Sequence, residues 1–397
     1  MSSGAAASRK HVLSPAAEAA CYATGFFSLG LVPMMSLAVP LWCLELGAAP
    51  YLIGIAVGAR SVLPFLLSIH GGVVMDRLGV RRVMFWLAGV CIVLVPLYPL
   101  LRSVVALIAL QLVFGLAQGL SWVGAQTQIG QLTKGSPSHA GRFSFAATAG
   151  TFGGPPLVGL AWDGFGPWGA YLLVTFWCLA LWIAIHGLPR PNGGGEPSQA
   201  TSGTVGWRDL VPRASDYRAA LELLAIPAVG FVVIATFVRI GTLSVQGSFY
   251  TVYLESIALS GTAIGTLVAI ASVVGSLTSL LAGPLARRIR PPWILIWAIG
   301  LSAAAMTATP FLETLAPLAV LAVLFGTGIG LTLPPILSIL SLGAGPSRQG
   351  LSVGLRTTAN RLASLVVPVA MGLLASLSDL RLAFLITGAA LALILAW

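Results

Sequence analysis

The stretch GGVVMDRLGVRR, Gly71 to Arg82, sets one acid and three arginines between two long apolar runs. Charge is scarce elsewhere: Asp, Glu, Lys and Arg make up 8% of the 397 residues, while 57% are hydrophobic. No soluble domain of this length needs so much apolar surface, so the solvent this sequence suits is lipid. A spanning helix takes about 20 apolar residues to cross a hydrocarbon core of about 30 Å. Working outward from the charged turn, twelve stretches qualify: Ala20–Trp42, Tyr51–Val74, Val83–Leu101, Val104–Gln128, Phe143–Trp162, Gly166–Leu188, Ala225–Phe249, Gly261–Gly283, Pro292–Leu312, Ala316–Leu342, Gly350–Ser376 and Leu380–Trp397. The runs are continuous rather than alternating, which excludes a membrane barrel and predicts an all-α membrane protein of twelve transmembrane helices.

The charges then read as orientation. With the amino terminus inside, fifteen Lys and Arg fall in cytoplasmic segments and two, Arg102 and Arg381, outside. That asymmetry follows the positive-inside rule. The net charge of +10 is therefore topology rather than affinity for nucleic acid, and both termini are expected in the cytoplasm, the membrane being a plasma or bacterial inner membrane. The residues ahead of the first span carry Arg9, Lys10 and His11 and lack the pattern of a cleaved signal. Cys21, Cys43, Cys91 and Cys178 lie in or beside apolar spans and read as packing residues. No His, Cys and acid cluster has metal-ligand spacing, and neither a phosphate loop nor a nucleophile elbow occurs. The sequence thus predicts no enzyme, no cofactor, no metal and no ATP-driven pump.

One segment interrupts the apolar pattern. Residues Pro189 to Glu222 begin rich in Gly, Pro and Ser, as a flexible linker does, and end in a short amphipathic helix expected over Tyr217–Leu224. The linker divides the spans six and six, giving an amino-terminal half (1–188), a cytoplasmic linker (189–224) and a carboxy-terminal half (225–397). The halves match at an offset of 211 residues: Gly54 falls on Gly265, Ser61 on Ser272, Gly72 on Gly283, Arg77 on Arg288, and FGLAQGL from Phe114 on FGTGIGL from Phe325. Two tandem six-helix pseudo-repeats are an arrangement of secondary transporters, with the solute bound between the halves near mid-membrane.

Here the opening stretch resembles the loop motif between the second and third spans of the major facilitator superfamily, Gly-x3-Asp-Arg-x-Gly-x-Arg-Arg. Gly72, Asp76, Arg77, Gly79, Arg81 and Arg82 supply it. GPLARRIR from Gly283 is its degenerate repeat, and GTFGGPPLVG from Gly150 resembles the fifth-span motif of antiporters in that superfamily, through Gly150, Gly154, Pro155 and Gly159, with Val158 in place of a glycine. The resemblance implies twelve spans, alternating access by rocking of the halves, a conformational role for these glycines and charges, and a latch at Asp76 in the outward-facing state. A topology-only role for the same charges is the competing reading.

The chain also departs from the family pattern. Gly115 stands where the fourth-span motif has an arginine three residues before Gln118-Gly119, and none of the eleven acids falls within the middle of a span. A buried carboxylate that carries protons is thereby missing. Arg60, Arg239, Arg356 and Arg361 do fall within spans. On insertion scales a central arginine facing lipid costs about 2.5–3.5 kcal/mol, so these must face protein or water. Either they bond to neighbouring helices, or some of them supply counter-charge to an anionic solute. Arg239, Arg60 and Arg361 are the first candidates for substrate contact, with Gln118, Trp122 and Gln126, which recur with Gln111 along one stripe of span four; polar glue between helices is the alternative for that stripe. Gly326, Gly328 and Gly330 read as close helix packing, and Pro334-Pro335 are expected to break span ten.

The expectation is a monomer that exports a small anionic or amphipathic compound. Import or exchange of an anion, or proton symport, is the runner-up. A non-transporting sensor or a lipid scramblase on the same scaffold is the alternative from another class. Protons or a counter-transported ion are the candidate coupling species, and the bilayer and a small solute the only partners expected.

Overall fold

A computed structural model describes residues 14–133, 137–189, 222–344 and 349–396. The first six spans are α1 (Pro15–Glu45), α2 (Pro50–Leu78), α3 (Val80–Leu94, continued by a turn at Leu97–Leu100), α4 (Val104–Leu132) and a helix Pro137–His186 that carries both α5 (137–165) and α6 (167–186). The last six are α7 (Pro227–Ser256, with a π-helical segment at Gln246–Tyr250), α8 (Gly261–Ser279), α9 (Pro291–Ala308), α10 (Leu315–Ala344), α11 (Gln349–Leu377) and α12 (Leu380–Ala396). Among the described residues there is no strand. The linker and most of the helix expected over Tyr217–Leu224 lie outside the described residues.

The internal repeat is visible in where helices start. α3 begins at Val80 and α9 at Pro291, α4 at Val104 and α10 at Leu315, α2 at Pro50 and α8 at Gly261, each pair 211 residues apart. Within each set the helices meet through small residues, as lipid-embedded helices do when backbones must come close. A Cβ on Gly150 would strike the backbone of Phe26 on α1. Gly326 and Gly330 of α10 press on Ala271 and Gly275 of α8, while Gly328 faces Ala298 and Ser302 of α9. Buried polar atoms are satisfied from neighbouring helices: Trp42 Nε1 donates to the carbonyl of Tyr98 at 2.9 Å and Trp177 Nε1 to that of Phe27 at 2.9 Å. All four cysteines are free and buried, as packing residues should be. Large side chains such as Trp86, Phe176 and Trp297 point outward, where lipid receives them.

Two local features follow from backbone chemistry. The helix Pro137–His186 would be about 75 Å long if straight, far beyond a bilayer core of about 30 Å. It turns back at Gly166 (φ 65°, ψ −157°), a conformation open to glycine. Gly30 of α1 touches both Gly150 before the turn and Trp177 after it, so the two arms run antiparallel. Span ten, by contrast, continues through Pro334-Pro335 without the expected break. In a membrane, neighbouring helices and local adjustment re-satisfy the carbonyls that a proline frees.

Gly79 ends α2 and starts α3 with φ 87° and ψ 130°, and no atom lies within 4 Å of where its Cβ would be. Its constraint is therefore conformational rather than steric. Gly79→Ala should lower the thermal midpoint in detergent by the equivalent of about 1–3 kcal/mol. Gly130→Ala, in a helix with equally open space, should leave it unchanged or raise it.

The two sets of helices touch mainly at one end of the bundle, opposite the ends of α6 and α7 that lead into the linker. There Gly54 and Gly58 of α2 meet the backbone of Pro368 and Leu365 on α11, and Gly372 meets Pro50 and Tyr51. Tyr51 N donates to Ser376 Oγ at 3.0 Å. Along the other seam Gly159 of α5 meets Gly261 of α8, and Pro155 meets Gly265. Gly247 of α7 sits over Ser36 of α1. We refer to these as the far end and the linker end.

Candidate substrate site

Arg60 is positioned by Gly115. A Cβ at 115 would collide with the Arg60 backbone, so α4 can lie on α2 at this depth only with glycine there. That accounts physically for the absence of an arginine from the fourth span. Arg60 Nη1 donates to Ser36 Oγ at 3.0 Å and to the Val32 carbonyl at 3.5 Å, both on α1. Ser36 is the residue beneath Gly247, whose Cβ position is 3.2 Å from Ser36 Oγ. The arginine is thus wired to the place where α1 meets the π-helical segment of α7, a distortion that recurs at functional sites.

Arg361 arrives at the same wall from the other set. Its Nη2 lies 3.9 Å from the Cβ position of Gly119 on α4, in a slot that Pro64 of α2 also lines. Its Nε is buried without a hydrogen-bond partner among the described residues. Arg60 and Arg361 are within electrostatic range of one another. Asp76, the acid on α2, is sixteen residues further along, about 24 Å at about 1.5 Å per residue.

Arg239 and Arg356 are likewise within electrostatic range of one another. Arg239 Nε donates to Thr332 Oγ1 on α10 at 2.5 Å. Arg356 Nε is buried and has no partner among the described residues. The ion pairs seen among the described residues are all at helix ends: Glu18 with Arg142 at 3.2 Å and with His139 at 3.8 Å, and Arg381 with Glu313 at 2.8 Å. The four interior guanidiniums are all half-buried, and the hydrogen-bond partners seen for them among the described residues are two hydroxyls and a carbonyl.

The other candidates from the sequence divide. Gln118 spends its amide on the Ser28 carbonyl of α1 at 3.2 Å and is buried, so it ties two helices together. Gln111, likewise buried, accepts from Tyr98 Oη at 3.4 Å. Trp122 stacks on Phe143 with ring centroids 6.0 Å apart, and Gln126 is exposed. Of the loop motif, Arg81 caps the end of α6, donating from Nε to Ile185 O at 3.2 Å and from Nη2 to His186 O at 2.8 Å; Arg82 is exposed. The surroundings of Gly72, Asp76, Arg77 and His70 lie outside the described residues. Of the fifth-span element, Gly150 and Gly154 face α1 while Pro155 and Gly159 face α8, so it serves both an internal contact and the seam. Ser36, Thr332 and Asp163 belong to this architecture and were not singled out by the sequence, which shows no pairing between distant spans.

A separate apolar groove of about 430 Å³ opens among Val238, Ile296, Gly300, Ala303, Leu385 and Gly388. Carbon lines it almost throughout, and it offers nothing to a charged solute.

The comparisons with known proteins agree with this architecture. The Major Facilitator Superfamily profile matches residues 20–237 and 232–397. Comparison with curated proteins gives no significant match. Among solved structures, a point mutant of the nucleoside transporter NupG is similar with a TM-score of 0.78 at 14% identity, over 96% of this chain and 98% of that one. NupG without the substitution gives 0.72 at 12% identity, over 96% and 97%. A bacterial homologue of the human lysosomal transporter Spinster, inward-facing and unoccupied, gives 0.69 at 14% identity, over 97% and 96%. At these identities the likeness is one of fold. With the profile spanning nearly the whole chain and two tandem six-helix sets meeting along paired seams, the chain belongs to the Major Facilitator Superfamily and is a multi-pass secondary transporter of small solutes.

Proposed function

We propose that the protein exports a small organic anion by rocking residues 1–188 against residues 225–397, with 189–224 as the cytoplasmic connector. One observation carries the substrate class: four arginines lie half-buried in the interior, two of them with a buried Nε that has no hydrogen-bond partner, and none is in an ion pair with a carboxylate among the described residues. Such charges are costly to bury without a counter-charge. A carboxylate or phosphate entering between Arg60 and Arg361 supplies that charge and accepts the planar forked hydrogen bonds that guanidinium offers. The unpartnered Nε of Arg361 is a donor held in reserve for it.

The positive-inside distribution supports a cytoplasmic linker end, so the arrangement described, touching at the far end, is the inward-facing one. Export follows the resemblance of the fifth-span element to that of antiporters, and lack of an acid in mid-span favours exchange for another ion over a carboxylate proton carrier. We place the protein as a monomer in a plasma or bacterial inner membrane. A lipid scramblase would need a seam open to lipid, and backbone contacts at Gly54 and Gly159 run along both seams at the far end.

A ligand panel on purified protein in detergent tests the proposal: mono- and dicarboxylates and phosphate esters against organic cations, at fixed ionic strength, read by thermal shift. At 100 times its dissociation constant a ligand stabilises the folded state by about 2.7 kcal/mol. Anions should raise the midpoint and cations should not. Stabilisation by cations alone would overturn the anion reading.

A further inference from the structure

We infer that Asp163 is the clasp of the far-end gate, a positioning residue for the transport cycle that holds α5 to the start of α8 while that end is closed and lets go when it opens. The inference rests on the rocking motion proposed above, though not on the identity of the solute.

The geometry is specific. Asp163 Oδ1 accepts from Gly261 N at 2.7 Å, and Oδ2 accepts from Thr262 N at 2.8 Å and from Thr262 Oγ1 at 2.6 Å. The first amides of a helix have no partner inside it and sit at its positive pole, where a carboxylate is favoured. The α8 cap, Ser260, spends its own hydroxyl oxygen on Ala263 N at 3.2 Å. The cap therefore serves the third amide and leaves the first two to Asp163, a residue of the other six-helix set. One turn earlier on α5, Gly159 lies directly on the Gly261 backbone, where a Cβ at 159 would collide. The carboxylate is delivered to those amides by a backbone contact with no slack.

The same contact is built to come apart. Asp163 is exposed, so water can take over all three hydrogen bonds as the helices separate, and no buried charge is stranded. A buried ion pair would resist parting far more strongly. No basic side chain pairs with Asp163 among the described residues. The clasp depends on two amides and a hydroxyl, and on the two sets being face to face.

The test reads gate position without any solute. Val369 on α11 packs against Gly58 in the opposite seam, its Cγ2 3.2 Å from the Gly58 Cβ position. V369C therefore reports far-end opening at a distance from the substitution. Gln126, exposed on the linker side of α4, gives Q126C as reporter for the other end. The native cysteines are buried and supply the background. With a membrane-impermeant maleimide applied to each side in turn, Asp163→Ala should raise the labelling rate at V369C about tenfold and lower it at Q126C. Asp163→Asn keeps one acceptor oxygen and should fall between parent and Ala, and Thr262→Val should shift both rates modestly in the same directions. Unchanged rates at V369C would overturn the inference. So would a rise at both reporters, the mark of general loosening. A failed anion panel would leave these rates untouched, so the two ideas fail separately.

Discussion

Arg361→Gln should bind an anionic solute thirtyfold or more weakly than the parent, and yet unfold at a higher temperature. The two effects have one cause. Arg361 is half-buried, lies within electrostatic range of Arg60 and has a buried Nε without a partner among the described residues. Neutralising it removes a repulsion and part of a desolvation cost of about 2.5–3.5 kcal/mol for a central arginine. With an anion bound the same guanidinium becomes half of a hydrogen-bonded charge pair, and losing one partner of such a pair costs about 2–5 kcal/mol. Arg361→Lys keeps the charge but loses the fork, so it should recover only part of the affinity. Arg239→Gln should show the same direction with less gain in stability, because its Nε already has Thr332 as a partner. Equilibrium binding and thermal melts on the same detergent preparations measure both quantities. An arginine that only packs helices gives the opposite pattern: lower stability and unchanged anion affinity.

Gly54→Val should shift the protein away from the far-end-closed state by a factor of about 5 to 150. A Cβ at position 54 meets the carbonyl oxygen of Pro368 and, behind it, more of the α11 backbone. No rotamer relieves a clash with a main chain, so the seam itself has to part. Overpacking of this kind costs about 1–3 kcal/mol, and here the cost falls on one conformation and spares the other. A cysteine pair at Tyr51 and Ser376, whose backbone nitrogen and hydroxyl are 3.0 Å apart, reads the seam by disulfide yield. The yield should collapse in Gly54→Val and hold in Gly300→Ala, where the Cβ position is empty. Transport should slow as well, since one half of the cycle is disfavoured. A normal disulfide yield in Gly54→Val would mean that α2 and α11 slide rather than part.

The twelve spans were legible because each needs only length and apolar composition. Gly79 was legible too: a glycine between two helices and ahead of two arginines marks a turn, and its φ of 87° confirms one. Pro334-Pro335 misled, because the rule that proline ends a helix belongs to water, and this helix is surrounded by others. The interior arginines could be placed in depth by counting along a span. Their azimuth could not be read, since a helix that is apolar on both its protein and its lipid faces carries little periodic signal. For that reason the sequence identifies Arg60 and Arg361 separately and does not show that both reach the same wall of α4. For Gln118 the sequence left a place at the solute and a place between helices equally open, and its amide is bonded to the Ser28 carbonyl of α1. Asp163 carries no signal in the sequence beyond being one of eleven acids, none of them in mid-span. Its partners are the backbone amides of Gly261 and Thr262, and backbone amides leave no mark on a sequence.

The fold-back at Gly166 also bears on how the chain is made. No loop separates α5 from α6, so there is no hydrophilic stretch to be carried across the membrane on its own. The two arms form one helical hairpin with its tip at Gly166. Both then dock on Gly30, one through Gly150 and the other through Trp177. Half of that pair cannot complete the surface α1 needs. A fluorescent protein or epitope spliced in after Gly166 should part the arms, and the expected result is poorer insertion with every candidate site residue unchanged.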